Sequence, residues 1–136
     1  VTPYLVDTAV FAYALGAAHV RREACRAVVA RATAGEFELH ASVEMVQALL
    51  HHRMRRTDRA SALRQARAAG GLCVLHPFDM PVLERALSLV ETTALRGRDA
   101  VHAATADCHG LDSIISPDGD FDGIAGLRRV APEQVA

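Results

Sequence analysis

The chain has 136 residues, half of them hydrophobic, with 16 acidic side chains against 15 basic ones and a formal net charge of −1. That length supports one core without disulfide or metal staples, so a single domain spanning 1–136 is expected and disorder is excluded. All 15 basic residues are Arg, which removes Walker-type phosphate binding, Schiff-base chemistry and lysine-dependent phosphoacceptor sites. A charge near zero argues against a protein that coats nucleic acid by bulk attraction, and 4% aromatics without Trp argue against an extended stacking platform.

In chain order, PYLVD opens as a short apolar strand ending in Asp7, and TAVFAYAL gives a short helix. Arg21 to Thr33 forms a helix with Ala24, Val28 and Ala32 on one face, broken at Gly35. EFELH is the second strand. Ser42 then caps a helix from Val43 to about Met54, and a further helix over Arg59–Ala69 is expected to stop at Gly70-Gly71. LCVLH is the third strand. Asp79 caps a helix from Met80 to about Thr93 that tolerates Pro81 in its first turn. A helix of small residues follows from Arg98 to His109 and stops at Gly110; SIIS is the fourth strand, and Leu127 to Val130 a short fifth. Strands alternating with helices predict a three-layer α/β/α sandwich with a mostly parallel central sheet.

The three cysteines, Cys25, Cys73 and Cys108, follow no CxxC spacing and read as small buried apolar residues in a reducing compartment. No apolar run approaches the ~20 residues of a membrane span, and no signal-peptide pattern opens the chain. A cytoplasmic protein without membrane association is expected.

SPDGDFDGI, residues 116 to 124, has the alternating aspartates and the sixth-position glycine of a calcium loop. The twelfth position, where such a loop needs a bidentate Glu, is Arg129, and the preceding LDSIIS reads as a strand rather than a helix. The acids instead fall into a distributed pattern. Open parallel sheets bind ligands at the carboxyl ends of their strands. Asp7 ends the first strand and Asp118 follows the fourth, while Glu44 and Asp99 occupy the first turns of two helices. Singly, each has a plain explanation as a turn residue or a complement to a helix dipole. Together, carboxylates crowded on one edge repel one another unless a divalent cation joins them.

YLVDTAVF, ASVEMVQALL, RGRDAVHAATA and SPDGDF, in this order and spacing, make the whole chain resemble the PIN-domain nucleases, and among them the VapC-like toxins of bacterial toxin–antitoxin pairs. The resemblance implies catalytic acids at Asp7, Glu44, Asp99 and Asp118. It implies Mg²⁺ or Mn²⁺ held by Asp7, Asp99, Asp118 and Asp120, with Glu44 acting through water, and places Thr8 and Ser116 beside the acids. Asp122 falls outside the pattern and is expected at the surface.

The implied reaction is endonucleolytic hydrolysis of RNA leaving a 3′-hydroxyl and a 5′-phosphate, and the implied partners are RNA, a VapB-like antitoxin and a second copy in a homodimer. The competing reading is a catalytically inert PIN-like module that binds RNA or protein. An acidic site needs cations nearby to hold a nucleic-acid backbone. HHRMRRTDR supplies Arg53 and Arg56, and Arg98 precedes Asp99; Thr8, Arg53, Arg56, Arg98 and Ser116 are the expected substrate contacts. Adjacent His51 and His52 diverge on a helix, which suits zinc poorly. His102, one turn from Asp99, reads as structural.

Overall fold

In the computed structural model, which describes residues 1–136, five strands form one sheet in the order β3-β2-β1-β4-β5. The strands are β1 (Pro3–Val6), β2 (Glu38–Ser42), β3 (Cys73–His76), β4 (Ser113–Ile115) and β5 (Arg128–Val130), and every pairing is parallel. The helices are α1 (Thr8–Leu15), α2 (Arg22–Thr33), α3 (Val43–Met54), α4 (Arg59–Leu72), α5 (Met80–Thr92) and α6 (Gly97–Cys108). No helix is long and apolar enough to cross a membrane.

Side chains alternate across a strand, and the short strands use this to divide the core. Tyr4, Val6, Leu39, Ala41 and Ile115 join Val10, Val28, Met45 and Leu49 on the face covered by α1 to α4. Leu5 and Ile114 join Val82, Leu89, Ala100, Ala104 and Phe121 on the face covered by α5 and α6. The α/β/α layering expected from the sequence is therefore present. Small residues let α6 lie close to the sheet: Ala100, Ala103, Ala104 and Ala106 are all buried.

Capping follows the sequence in most places. Ser42 accepts the Glu44 amide at 3.1 Å, Asp79 accepts the Val82 amide at 3.3 Å, and Asp58, not foreseen as a cap, accepts the Ser61 amide at 2.8 Å. Gly110 ends α6 with φ +69°, the left-handed conformation that favours glycine. Gly70-Gly71 does not end α4, which runs on to Leu72. A Cβ on Gly70 would stand 3.2 Å from Val46 Cγ2, so this glycine serves close approach to α3 rather than helix termination. The cysteines also depart from expectation: Cys25 is buried, but Cys73 is only partly buried and Cys108 is exposed. Cys108 lies in the last turn of α6, beyond the stretch that faces the sheet.

The strand order matters most for function. From β1 the chain moves outward to β2 and β3, then returns to place β4 on the other side of β1. That reversal leaves a crevice at the carboxyl ends of β1 and β4, where open α/β sheets bind ligands.

Candidate active site

Asp7 follows β1 directly, and its amide donates to the Ile115 carbonyl of β4 at 3.1 Å, so its side chain stands on the crevice between the two strand ends. It is 5% exposed. Ser116 Oγ donates to Asp7 Oδ2 at 2.7 Å and accepts the Asp118 amide at 3.0 Å. One buried hydroxyl thus ties the acid after β1 to the backbone after β4. Asp118 Oδ1 accepts the Asp120 amide at 3.1 Å, which winds Gly119–Phe121 into a single 3₁₀ turn. Asp99 reaches the same crevice from the first turn of α6.

Carboxylate oxygens of Asp99, Asp118 and Asp120 lie within 4.8 Å of one another. Asp7 lines the same cavity beside Asp99 and Asp118 but stands outside that closest trio. The crowding has an electrostatic signature. Partial burial, then the charges of Asp7, Asp118 and Asp120, raise the Asp99 carboxyl to about 6, against a smaller opposing pull from His102. Burial also raises Asp7, although the Ser116 hydroxyl holds it back.

His102 lies in the wall of this site. Its Nε2 is 3.2 Å from Thr8 Oγ1 and 3.6 Å from Asp7 Oδ1, while its buried Nδ1 has no partner. Near-complete burial drives the imidazole down to about 4, so at neutral pH it is uncharged and its contact with Asp7 is dipolar rather than an ion pair. It supports the acids, as a structural histidine does, but from inside the site.

The cavity holds about 1010 Å³ and runs from the acids along α1 to the α1–α2 loop. Its α3 wall is Ala48, His52 and Arg53, with Arg56 just beyond the helix and Arg98 at the start of α6. Thr8, Arg53, Arg56 and Arg98, among the expected substrate contacts, all line it. None of the three arginines is ion-paired within the chain. Arg53 is constrained: it is buried, and its Nε donates to Gln65 Oε1 at 2.8 Å. Ser116 does not fit the expectation of a substrate contact. It is fully buried and its hydroxyl is spent on Asp7 and Asp118, so it positions acids instead. Glu44 stands back from the cavity wall, although its spacing to Ala48 and His52 puts it on the same stripe of α3. Asp122 points away, held bidentately by Arg129 at 2.7 and 3.3 Å.

Known proteins share this fold. The PIN domain family model matches residues 4–127. The chain belongs to the PIN-domain family. Ribonuclease VapC7 of Mycobacterium tuberculosis is 33% identical over 132 residues, covering 95% of this chain and 91% of that protein. Among solved structures, a toxin–antitoxin complex from Klebsiella pneumoniae matches with a TM-score of 0.72 at 19% identity, over 97% of this chain and 99% of that one. VapC20 of M. tuberculosis, described as a sarcin–ricin loop cleaving toxin, matches with a TM-score of 0.72 at 18% identity, over 92% and 98%.

The PIN domain's acidic trio offers only carboxylate oxygens, the hard donor set taken by Mg²⁺, Mn²⁺ and Ca²⁺ rather than by zinc or copper. Sequence reasoning missed the other end of its cavity, formed by Ala12, Tyr13, Gly16 and His19. The signal was present in α1: Ala12 is four residues beyond Thr8, so a helix that starts in the site must carry its next turns along it.

Proposed function

We propose that this protein is the ribonuclease toxin of a toxin–antitoxin pair, an endonuclease hydrolysing RNA phosphodiester bonds with Mg²⁺ or Mn²⁺. The observation that carries the reading is the meeting of Asp99, Asp118 and Asp120, with Asp7 beside them, at the strand-order reversal next to three unpaired arginines. We assign the cation to Asp7, Asp99, Asp118 and Asp120. Bound there, it would polarise a phosphoryl oxygen and make water more acidic.

The chain's own residues do the rest. Ser116 holds Asp7 and the Asp118 backbone in register. Thr8 and His102 contact each other beside Asp7 and keep bulk water from its rear. Arg56 and Arg98 are exposed and free to neutralise the RNA backbone, with Arg53 adding charge from the wall. We assign Glu44 to orienting the attacking water. The oxygen of that water bonds to phosphorus as the P–O3′ bond breaks, which leaves a 5′-phosphate and, once the departing oxygen takes a proton, a 3′-hydroxyl.

The partner in this reading is a cognate antitoxin, with a homodimer of toxin subunits. An apolar groove of about 470 Å³ between α1, α2 and α4, lined by Phe11, Ala14, Val29, Ala69 and Leu72, shares Leu15 with the acidic cavity. A segment seated in that groove would continue into the active site and cover it. Induced expression of wild type and Asp7→Asn in a bacterial host, followed by sequencing of RNA 5′ ends, tests the reading. Growth arrest with discrete new 5′ ends from wild type alone is expected. Arrest by both proteins without new ends would replace hydrolysis by inhibitory binding.

A further inference from the structure

Acids, free arginines and small side chains account for most of the cavity wall, but not for the aromatic pair at its far end. Of the six Phe and Tyr residues, Tyr4, Phe11, Phe37 and Phe121 are buried in the two cores and Phe78 is exposed outside the cavity. Tyr13 is only half-buried and lies inside the cavity, on α1. His19, from the loop that follows, lies against it with ring centroids 4.7 Å apart and planes at 36°. The Arg21 guanidinium carbon is 5.7 Å from the Tyr13 ring centroid, and Arg21 Nη1 donates weakly to the phenol oxygen at 3.5 Å. His19 Nδ1 accepts the Arg21 amide at 3.1 Å. That bond fixes the ring and leaves Nε2 as a hydrogen-bonding group with no partner in the chain.

Ala9, Ala12, Gly16, Ala17 and Ala18 keep the space around the pair open. On the α3 side Arg53 and Arg56 supply positive charge, while burial and the neighbouring arginines lower the His52 imidazole below its ordinary value. A groove with phosphate-binding groups on one side and a tilted aromatic pair on the other has the two elements that hold single-stranded nucleic acid: charge for the backbone and an aromatic surface for a base.

We propose that Tyr13 and His19 form a nucleobase subsite, which stacks one base of single-stranded RNA while its backbone runs along Arg56 toward the acids. This rests on the ribonuclease reading above and names what that reading lacks, a contact to a base rather than to phosphate. The His19 Nε2 group and the Tyr13 hydroxyl give the subsite a polar edge, so it selects among bases as well as holding one. Composition alone argued against a stacking platform, and one pair at the far end of the cavity is not an extended platform. It reads one position.

The test measures binding separately from cleavage. Short single-stranded RNA oligonucleotides carrying 2-aminopurine at successive positions are titrated onto the Asp7→Asn protein with Mn²⁺, following base fluorescence and anisotropy. Quenching at one position is expected. Tyr13→Phe should keep it, whereas Tyr13→Leu, which fills the same space without a π-face, should abolish it and weaken binding roughly five-fold or more. His19→Ala offers a second route, since it leaves α1 untouched, and should diminish the same signal. Thermal melts accompany each variant so that the comparison is made between folded proteins.

Quenching at no position, or wild-type affinity and quenching in Tyr13→Leu, overturns the subsite. So does a Tyr13→Leu protein that binds RNA normally but releases its antitoxin, which would make the pair a protein contact. The two readings separate cleanly. Quenching in Asp7→Asn with no RNA cleavage by wild type leaves the subsite and removes the ribonuclease; cleavage by wild type without quenching does the reverse.

Discussion

Asp99 gives the sharpest quantitative expectation. Its carboxyl is raised from 3.8 to about 6 by partial burial and the neighbouring Asp7, Asp118 and Asp120, so cation binding must displace a proton near neutral pH. Roughly half of the Asp99 carboxyls are protonated at pH 6, against less than ~1% for an unshifted aspartate. The sign follows directly: a cation needs the ionised form, so affinity climbs with pH through 6 and levels off above about 7. Between pH 7 and pH 5 the ionised fraction falls from about nine-tenths to about one-tenth, an upper bound of ~10-fold in affinity. Asp99 is only partly buried, so screening by water reduces this to about 3- to 10-fold. The raised Asp7 carboxyl acts in the same direction. Isothermal titration of Mn²⁺ at pH 6 in two buffers of different ionisation enthalpy counts the protons released. About half a proton per ion is expected from Asp99 alone, and Asp99→Asn should lose that share along with most of the affinity. Affinity that is flat from pH 5.5 to 7.5, or proton release unchanged in Asp99→Asn, would refute the electrostatic account of the cluster.

Three further expectations concern stability and are read from urea melts. The His102 imidazole sits below its unfolded value of 6.5, at about 4; the unfolded chain therefore binds more protons, and this stability is present above pH 6.5 and lost as pH falls toward 4. Relative to His102→Leu, in which the carboxylates' opposite trend largely cancels, wild type should lose about 2 kcal/mol between pH 7 and pH 5; equal pH slopes would contradict it. Ser116→Ala strips a buried donor from Asp7 and an acceptor from the Asp118 amide, and should cost about 1–3 kcal/mol and weaken Mn²⁺ binding as well, whereas wild-type values in both would show the hydroxyl to be dispensable. Gly71 lies in α4 with open space where a Cβ would go, so Gly71→Ala should stabilise by about 0.5–1 kcal/mol, while the same change at Gly123, with φ +77°, should destabilise.

The order of strands and helices, the layer architecture and most helix boundaries were legible in the sequence, because period, caps and turn residues act within a few positions of themselves. So was the gathering of Asp7, Asp99 and Asp118 on one edge. Asp7 and Asp118 had to end up near strand termini once PYLV and SII were strands, and a parallel sheet gathers those termini on one edge. Local signals failed where a neighbour decided the matter. Gly70 looked like a helix stop, but its place in α4 is set by Val46 of α3, whose methyl a Cβ there would meet at 3.2 Å, tighter than ordinary contact. The family resemblance, too, suggested Ser116 as a substrate contact, but a bond to a residue 109 positions away consumes its hydroxyl.

The sequence by itself determined which residues could bind a cation and which elements carry them; tertiary structure alone decided what each does in the assembled site. Only the placement of β4 beside β1 brings Asp118 to Asp7 and draws Asp99 and Asp120 into one cluster. Only burial among those neighbours turns an ordinary aspartate into one that ionises near pH 6 and keeps His102 uncharged. The physical reason is common to both. Desolvation and repulsion from Asp7, Asp118 and Asp120 depend on distances through space, and the residues flanking Asp99 and His102 do not encode those distances.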